Sequence, residues 1–120
     1  MKKKILLVDD EIDLLFFIKY RLESFGYEAI MSTTGEEALA WLEKNIPDLI
    51  LLDISLPDVS GEEVCKQLKS NGKLKHIPVI LYSAKASDIS EEAKRVCADD
   101  CMVKPFEAQD LLAKIKKLIG

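Results

Sequence analysis

Leu49-Ile50-Leu51-Leu52-Asp53 is the stretch that decides the fold of this 120-residue chain. Its run of four apolar residues indicates a strand buried on both faces, as in a parallel sheet covered by helices. A carboxylate follows where the strand emerges, and Pro57 a few residues later favours a turn. We therefore predict a strand over Asp48–Asp53 that delivers Asp53 to one edge of a parallel sheet.

Three other apolar runs also end in polar residues. They are Ile5–Val8 before Asp9 and Asp10, Val79–Tyr82 before Ser83, and Cys101–Val103 before Lys104. Because the carboxyl ends of parallel strands lie along one edge of a sheet, these polar side chains are expected to meet at that edge.

Helical patterns separate the predicted strands, which include Lys4–Val8 and Tyr27–Met31. The apolar stripe of the first helix, which ends before Gly26, comprises Leu14, Leu15, Phe16, Ile18, Leu22 and Phe25. Thr34 and Ser60 are expected to open the second and third helices, because each has a glutamate three residues later, the spacing of a capping box. A fourth helix is predicted to open at Ser87.

Five strand–helix units, the last with a helix over residues 108–119, follow one another with short links. This repeat predicts an α/β fold, a doubly wound five-stranded parallel sheet with helices on both faces. The length fits one domain over residues 1–120. Ligands of such sheets bind outside the carboxyl ends of the strands, so the polar edge is the expected functional site.

The composition argues against several classes of protein. The net charge is −4 and the pI is near 5.1, which disfavours direct binding of this chain to nucleic acid. No apolar run reaches the roughly 20 residues of a membrane span, and no signal peptide opens the chain. The three cysteines lack the spacing of a metal site. We therefore predict a cytoplasmic protein with reduced thiols.

The polar edge has the chemistry of a phosphoryl site. If Asp9, Asp10 and Asp53 converge, they repel one another, and Lys104 alone leaves them short of positive charge. A hard divalent cation with oxygen ligands, such as Mg²⁺, would complete the cluster. Asp53 is the candidate nucleophile for an acyl phosphate, and Lys104 and the Ser83 hydroxyl are candidates to contact the transferred group. Asp9-Asp10 alone is better explained as a helix-start pair and Asp53 alone as a turn residue, and neither Ser83 nor Lys104 alone indicates a site. Their joint placement favours a site.

Together these stretches resemble the receiver domain of two-component response regulators over nearly the whole chain. The matching stretches are Ile5–Glu11, Asp48–Asp53, Leu56-Pro57, Gly61, Pro78–Ala84 and Ala98–Phe106. The resemblance implies a flavodoxin-like sheet with strand order 2-1-3-4-5. It also implies a phosphoprotein that switches a two-component phosphorelay, and that is not an enzyme beyond its own phosphorylation and slow dephosphorylation.

The resemblance further implies the role of each site residue. The metal-binding positions are Asp9, Asp10, Asp53 and the backbone carbonyl of Ser55. Asp10 resembles the direct Mg²⁺ ligand and Asp9 its water-mediated neighbour, while Asp53 resembles the phosphoacceptor. Lys104 resembles the phosphate-pairing lysine and Ser83 the switch hydroxyl. A sensor histidine kinase or phosphotransfer protein would donate the phosphoryl group, and the face formed by the fourth helix, fifth strand and last helix would then engage a downstream effector.

Two positions depart from the family. Cys101 stands where an aromatic residue usually rotates inward with the switch hydroxyl, and Cys97 stands where glycine is frequent. Tyr82 is not expected to replace the aromatic residue, because adjacent strand residues point to opposite faces.

The departure at Cys101 leaves open an alternative function, a phosphate-independent receiver-like module that binds proteins. A phosphatase with Asp9 as nucleophile and Glu11 in support is a further alternative. A dinucleotide-binding enzyme is disfavoured, because Asp9-Asp10-Glu11 occupies the turn where a glycine-rich motif would follow the first strand.

Overall fold

The computed structural model describes residues 2–84 and 89–120. The strands are β1 (Lys4–Val8), β2 (Glu28–Ser32), β3 (Leu49–Asp53), β4 (Val79–Ser83) and β5 (Asp100–Val103). The helices are α1 (Ile12–Ser24), α2 (Gly35–Leu42), α3 (Gly61–Lys69), α4 (Ile89–Arg95) and α5 (Ala108–Ile119). The strands pair in parallel in the order β2-β1-β3-β4-β5, which confirms the predicted doubly wound sheet and its strand order.

Two apolar layers cover the sheet. Leu6 and Leu52 belong to a buried cluster with residues of α2, α3 and α4, whereas Leu7 and Leu51 belong to a second cluster with residues of α1 and α5. Successive strand residues therefore point to opposite layers. Because both faces are covered, the strands are apolar almost throughout, and their polar residues lie at the two ends of the strands.

The buried face of α1 is narrower than the predicted stripe. It consists of Leu15, Ile18 and Leu22, whereas Phe16 is 56% exposed and Phe25 is 49% exposed. An α-helix turns by about 100° per residue, so Phe16 points away from the sheet when Leu15 faces it, and Phe25 lies beyond the last turn. The predicted stripe was wrong at these two positions.

The ends of the elements follow local hydrogen bonds. Thr34 Oγ1 accepts the Glu37 N–H at 3.0 Å and Ser60 Oγ accepts the Glu63 N–H at 3.1 Å, so both predicted caps are confirmed. Tyr27 was predicted to begin β2, but its N–H donates to a carbonyl of α1 and closes that helix instead.

Strand β1 is confirmed over Lys4–Val8, whereas one bound of each of β3, β4 and β5 differs from prediction by one residue. Strand β3 begins at Leu49 and not at Asp48, β4 extends to Ser83, and β5 begins at Asp100. The predicted opening of the fourth helix at Ser87 lies outside the described residues. Within residues 2–84 and 89–120, no helix combines the length and the hydrophobicity that crossing a bilayer requires.

Cys97, in the turn between α4 and β5, has a φ of 61°, a conformation that disfavours any side chain with a Cβ. Replacing Cys97 with glycine is expected to raise the free energy of unfolding by about 0.5–1 kcal/mol. The relief of backbone strain exceeds the extra freedom that glycine has in the unfolded chain. Urea denaturation under reducing conditions measures this change. Cys97→Ala keeps the Cβ and is the control, and an equal gain in that variant would contradict the explanation.

Candidate functional site

The polar residues at the carboxyl ends of β1, β3, β4 and β5 lie along one edge of the sheet. Strands β1 and β3 are neighbours in register, so Asp9 and Asp53 lie side by side. Lys104 follows β5, and its backbone N–H donates to the carbonyl of Ser83 at 2.7 Å. Strand order changes direction at β1 and β3, which is where such sheets bind ligands.

Asp9, Asp10 and Asp53 form a carboxylate cluster in which one oxygen from each residue lies within 4.8 Å of the others. Asp9 is fully buried, Asp53 is 3% exposed, and Asp10 is open to solvent. The structure therefore brings together the three carboxylates that the strand endings predicted. Asp10 offers an accessible oxygen, while Asp9 and Asp53 form the floor of the cluster.

Asp53 is oriented by the loop that follows it. Its Oδ1 accepts the Ser55 N–H at 3.0 Å, and its Oδ2 lies 3.5 Å from Lys104 Nζ. Burial raises the pKa of Asp53 above its ordinary value; the hydrogen bond from Ser55 opposes the rise and the charge of Asp9 adds to it. Additional positive charge beside Asp53 would therefore stabilise its ionised form.

Asp9 is the best-satisfied carboxylate of the cluster. Its Oδ2 accepts hydrogen bonds from Lys104 Nζ at 2.8 Å and from the Tyr82 hydroxyl, and its Oδ1 accepts the Glu11 N–H at 2.9 Å. Burial alone would raise the pKa of Asp9, but the hydrogen bonds from Lys104 and Tyr82 hold it below the ordinary range. Asp9 is thus a buried carboxylate that remains ionised.

Lys104 connects three carboxylates. Its Nζ lies 2.8 Å from Asp9, 2.9 Å from Glu11 and 3.5 Å from Asp53, and its side chain is 11% exposed. Burial lowers the pKa of Lys104, but the hydrogen bonds to Asp9 and Glu11 outweigh it and raise the pKa to about 12. The ammonium group therefore stays charged at physiological pH, and its peptide bond to Pro105 is cis.

The donor set at this edge fits a hard divalent cation. The carboxylates of Asp9, Asp10 and Asp53 are oxygen ligands, and Lys104 supplies one positive charge against them. Mg²⁺ prefers such oxygens and keeps several waters, so an exposed residue such as Asp10 suits it. The residues present therefore fit the predicted magnesium ion.

Sequence reasoning did not predict a role for Tyr82 in the site, nor the contact between Glu11 and Lys104. Tyr82 packs in the cluster on the opposite face from Cys101, as the alternation of strand residues indicated. Its hydroxyl nevertheless reaches Asp9, although β3 lies between the two strands that carry these residues. A tyrosine inside an apolar strand near a polar edge was the available signal, because a buried hydroxyl needs a hydrogen-bond partner.

The sequence matches the response regulator receiver domain over residues 5–116. The chain belongs to this family. Among curated relatives, it is 40% identical over 120 residues to the alkaline phosphatase synthesis transcriptional regulatory protein PhoP of Bacillus subtilis. That match covers 99% of this chain and 49% of PhoP. The receiver domain thus spans about half the length of the curated relatives it matches.

Solved receiver structures have the same fold. The chemotaxis response regulator CheY4 of Vibrio cholerae superposes with a TM-score of 0.91 at 30% identity, over 98% of this chain and 99% of CheY4. The receiver domain of the sensor histidine kinase PA1611 from Pseudomonas aeruginosa gives a TM-score of 0.91 at 26% identity, over 100% of this chain and 99% of that one. That structure is described as having a magnesium ion coordinated in the active site cleft.

Cys101, the position that is usually aromatic in the family, has a smaller side chain in this receiver domain. It is half-buried and packs against the apolar cluster that includes Ile89 and Ala93 of α4. Ser83, at the end of the neighbouring strand, is buried. Ser83 and Cys101 therefore lie on adjacent strands, two residues apart in register.

Gly61 opens α3 directly against the backbone of the candidate phosphoacceptor. A Cβ at this position would lie 2.2 Å from the carbonyl oxygen of Asp53 and 2.7 Å from Cα of Ile54. Gly61→Ala is expected to lower the free energy of unfolding by about 2–3 kcal/mol, because backbone atoms cannot rotate away from the clash. Urea denaturation measures the change. Gly72→Ala is the control, since a Cβ there meets nothing within 4 Å, and equal losses in both variants would refute the clash.

Proposed function

We propose that this receiver domain, over residues 1–120, accepts a phosphoryl group on Asp53 in the presence of Mg²⁺ and acts as a switch in a two-component phosphorelay. The observation that carries the proposal is the carboxylate cluster, with oxygens of Asp9, Asp10 and Asp53 within 4.8 Å of one another and Lys104 Nζ against it. The donor would be a sensor histidine kinase or a phosphotransfer protein.

The transfer step uses the oxygen of Asp53 that faces Lys104. An Asp53 carboxylate oxygen forms a bond to phosphorus, while the bond from phosphorus to the donor breaks and its electron pair leaves with the donor. The Ser55 N–H, 3.0 Å from Asp53 Oδ1, holds the carboxylate during the attack. Lys104 and the Ser83 hydroxyl would contact the phosphoryl oxygens after transfer. Slow hydrolysis of the acyl phosphate returns the resting state, so the domain turns over no other substrate.

A magnesium ion would be held by Asp10 and Asp53 directly, by the backbone carbonyl of Ser55, and by Asp9 through water. When bound, it would neutralise part of the charge that the carboxylates and the phosphoryl group bring together. The coordinated magnesium described for the PA1611 receiver domain supports this assignment.

The donor protein is expected to approach along α1. This helix begins at Ile12, one residue after Glu11, whose side chain contacts Lys104 in the site. Ile12, Phe16 and Tyr20 recur every fourth residue and are 45%, 56% and 73% exposed. An apolar stripe that starts one residue after a side chain in contact with Lys104 suits a protein surface that must present a phosphohistidine to this site.

Output would pass through the α4–β5–α5 face to a downstream effector. The hydrogen bond from the Lys104 N–H to Ser83 O joins the end of β5 to the end of β4, so a change at the phosphoryl site can reach β5. Cys101 stands in β5 where an aromatic residue usually rotates inward, and its small side chain cannot fill the same space. Signalling would therefore depend on movement of Ser83 and Lys104.

The proposed function predicts Mg²⁺-dependent phosphorylation by a small donor. After incubation with acetyl phosphate and Mg²⁺, intact mass spectrometry is expected to show an adduct of one phosphoryl group. The same incubation with EDTA should leave the chain unmodified, because the cluster then lacks the positive charge that the transfer needs. Equal modification with and without Mg²⁺ would argue against the proposed site. No adduct in either condition would favour the phosphate-independent binding module.

A further inference from the structure

Tyr82 is a completely buried residue at the carboxyl end of β4 that the proposed transfer step does not use. Its hydroxyl donates a hydrogen bond to Oδ2 of Asp9. An ionised carboxylate oxygen can only accept a hydrogen bond, so the hydroxyl is the donor in this contact. Tyr82 therefore supplies a donor to the buried carboxylate of the site.

The ring of Tyr82 is held from two sides. Lys104 Nζ lies 4.8 Å from the ring centroid, and the ring of Phe106 packs edge-on at a centroid distance of 5.7 Å and an interplanar angle of 86°. The first contact is a cation–π interaction and the second a favourable aromatic pair. Together they fix the ring so that the hydroxyl points at Asp9, and they bring Tyr82 into contact with both members of the Asp9–Lys104 ion pair.

Lys104 Nζ has three N–H groups, and it lies 2.8 Å from Asp9, 2.9 Å from Glu11 and 3.5 Å from Asp53. Glu11 is exposed, so water can replace the ammonium there, whereas Asp9 is fully buried. When the ammonium moves toward a phosphoryl group on Asp53, its interaction with Asp9 is expected to weaken. A fully buried carboxylate oxygen that loses its donor is strongly destabilised, which would hold Lys104 back. The Tyr82 hydroxyl donates to the same oxygen, Oδ2, and would remain there when the ammonium leans toward Asp53.

We propose that Tyr82 is a positioning residue that keeps Asp9 hydrogen-bonded while Lys104 turns to the phosphoryl group on Asp53. This inference rests on the proposed function of the site and adds a residue to it. The proposed role affects the phosphorylated state of the site and not its affinity for Mg²⁺. Tyr82 favours the state with a phosphoryl group on Asp53, and it does not favour the binding of Mg²⁺ alone.

The test compares wild type with Tyr82→Phe, which keeps the ring and its contacts with Lys104 and Phe106 and removes only the hydroxyl. Two affinities are measured by calorimetry: that for Mg²⁺ alone, and that for beryllofluoride, a phosphoryl mimic, at saturating Mg²⁺. Tyr82→Phe is expected to weaken beryllofluoride binding about tenfold, the effect of one hydrogen bond to a charged group. Its affinity for Mg²⁺ should not fall, because the neutral hydroxyl is not a ligand and the three carboxylates keep their charge.

Tyr27→Phe is the matched control, because Tyr27 is also buried in the cluster under α1 and α5 but directly precedes β2, at the amino edge of the sheet. Both affinities should match wild type in this variant. Wild-type beryllofluoride affinity in Tyr82→Phe, or an equal loss of both affinities, would overturn the inference. If wild type itself bound no beryllofluoride, the proposed function would fail and this inference with it.

The wild-type chain offers a second test that does not depend on a variant folding. The hydroxyl proton of Tyr82 should be observable by proton NMR as a signal protected from exchange with water, because its oxygen is buried and hydrogen-bonded to Asp9. The signal should persist when beryllofluoride and Mg²⁺ are added. Its loss on addition would show that Tyr82 leaves Asp9 together with Lys104, and would overturn the inference.

Discussion

Replacing Lys104 with methionine is expected to lower the free energy of unfolding by about 3 kcal/mol in the absence of metal. The substitution keeps an apolar side chain of similar length and removes the ammonium that lies 2.8 Å from Asp9. Asp9 is fully buried and close to Asp53, so an ionised carboxylate would remain without its cationic partner. Urea denaturation in EDTA measures the loss, and added Mg²⁺ should recover part of it by supplying positive charge.

Two further variants isolate the cause of this loss. Lys114→Met removes an ion pair to Asp100 of similar length, 3.0 Å, but with both side chains partly exposed, and is expected to cost less than about 1 kcal/mol. The double variant Asp9→Asn with Lys104→Met removes both charges and should recover most of the stability. If Lys104→Met lowered the free energy of unfolding as little as Lys114→Met, the buried ion pair between Asp9 and Lys104 would not stabilise the fold.

Replacing Asp53 with asparagine is expected to abolish phosphoryl incorporation and, at the same time, to stabilise the unmodified fold by about 1 kcal/mol at neutral pH. The amide lacks the nucleophilic carboxylate, so acetyl phosphate should produce no adduct in intact mass spectra. Its carbonyl oxygen can still accept the Ser55 N–H, and the charge repulsion from Asp9 disappears. Asp110→Asn, at an exposed position on α5, is the control and should be phosphorylated like wild type.

The stabilisation by Asp53→Asn should depend on pH in a defined direction. The pKa of Asp53 is raised in the folded state from its ordinary value of 3.8, mainly by burial, so the folded chain holds this proton more tightly than the unfolded chain does. The contribution of Asp53 to stability therefore falls as the pH rises from 3.8 through the raised pKa. Urea denaturation in EDTA should show the advantage of the variant growing from acid to neutral pH. An advantage that shrinks over this range would contradict the raised pKa.

Much of the fold could be predicted because the strands are continuous apolar runs that are recognisable in the sequence. Runs such as Ile5–Val8 and Leu49–Leu52 have no polar residue on either face, which is possible only in a sheet covered on both sides. The polar residues at their ends then had to share one edge. The order of the strands needed the resemblance to a family, because apolar runs alone do not specify which strands are neighbours.

The details that prediction missed depend on three-dimensional register. Tyr82 and Asp9 are 73 residues apart in sequence and lie on strands that are not neighbours, so only the assembled sheet brings hydroxyl and carboxylate together. The contact between Glu11 and Lys104 has the same origin. Phe16 was misassigned for a simpler reason: hydrophobicity marks a residue for burial, but helix rotation decides which side it faces.

The central claim, that Asp53 receives the phosphoryl group, is tested most directly by locating the modification on the wild-type chain. After incubation with acetyl phosphate and Mg²⁺, borohydride reduction converts an aspartyl phosphate into homoserine, and peptide mass spectrometry identifies the converted residue. The site geometry predicts conversion at Asp53, where a buried carboxylate faces Lys104 across 3.5 Å. Conversion at Asp9 or Asp10 with Asp53 unmodified would contradict the account.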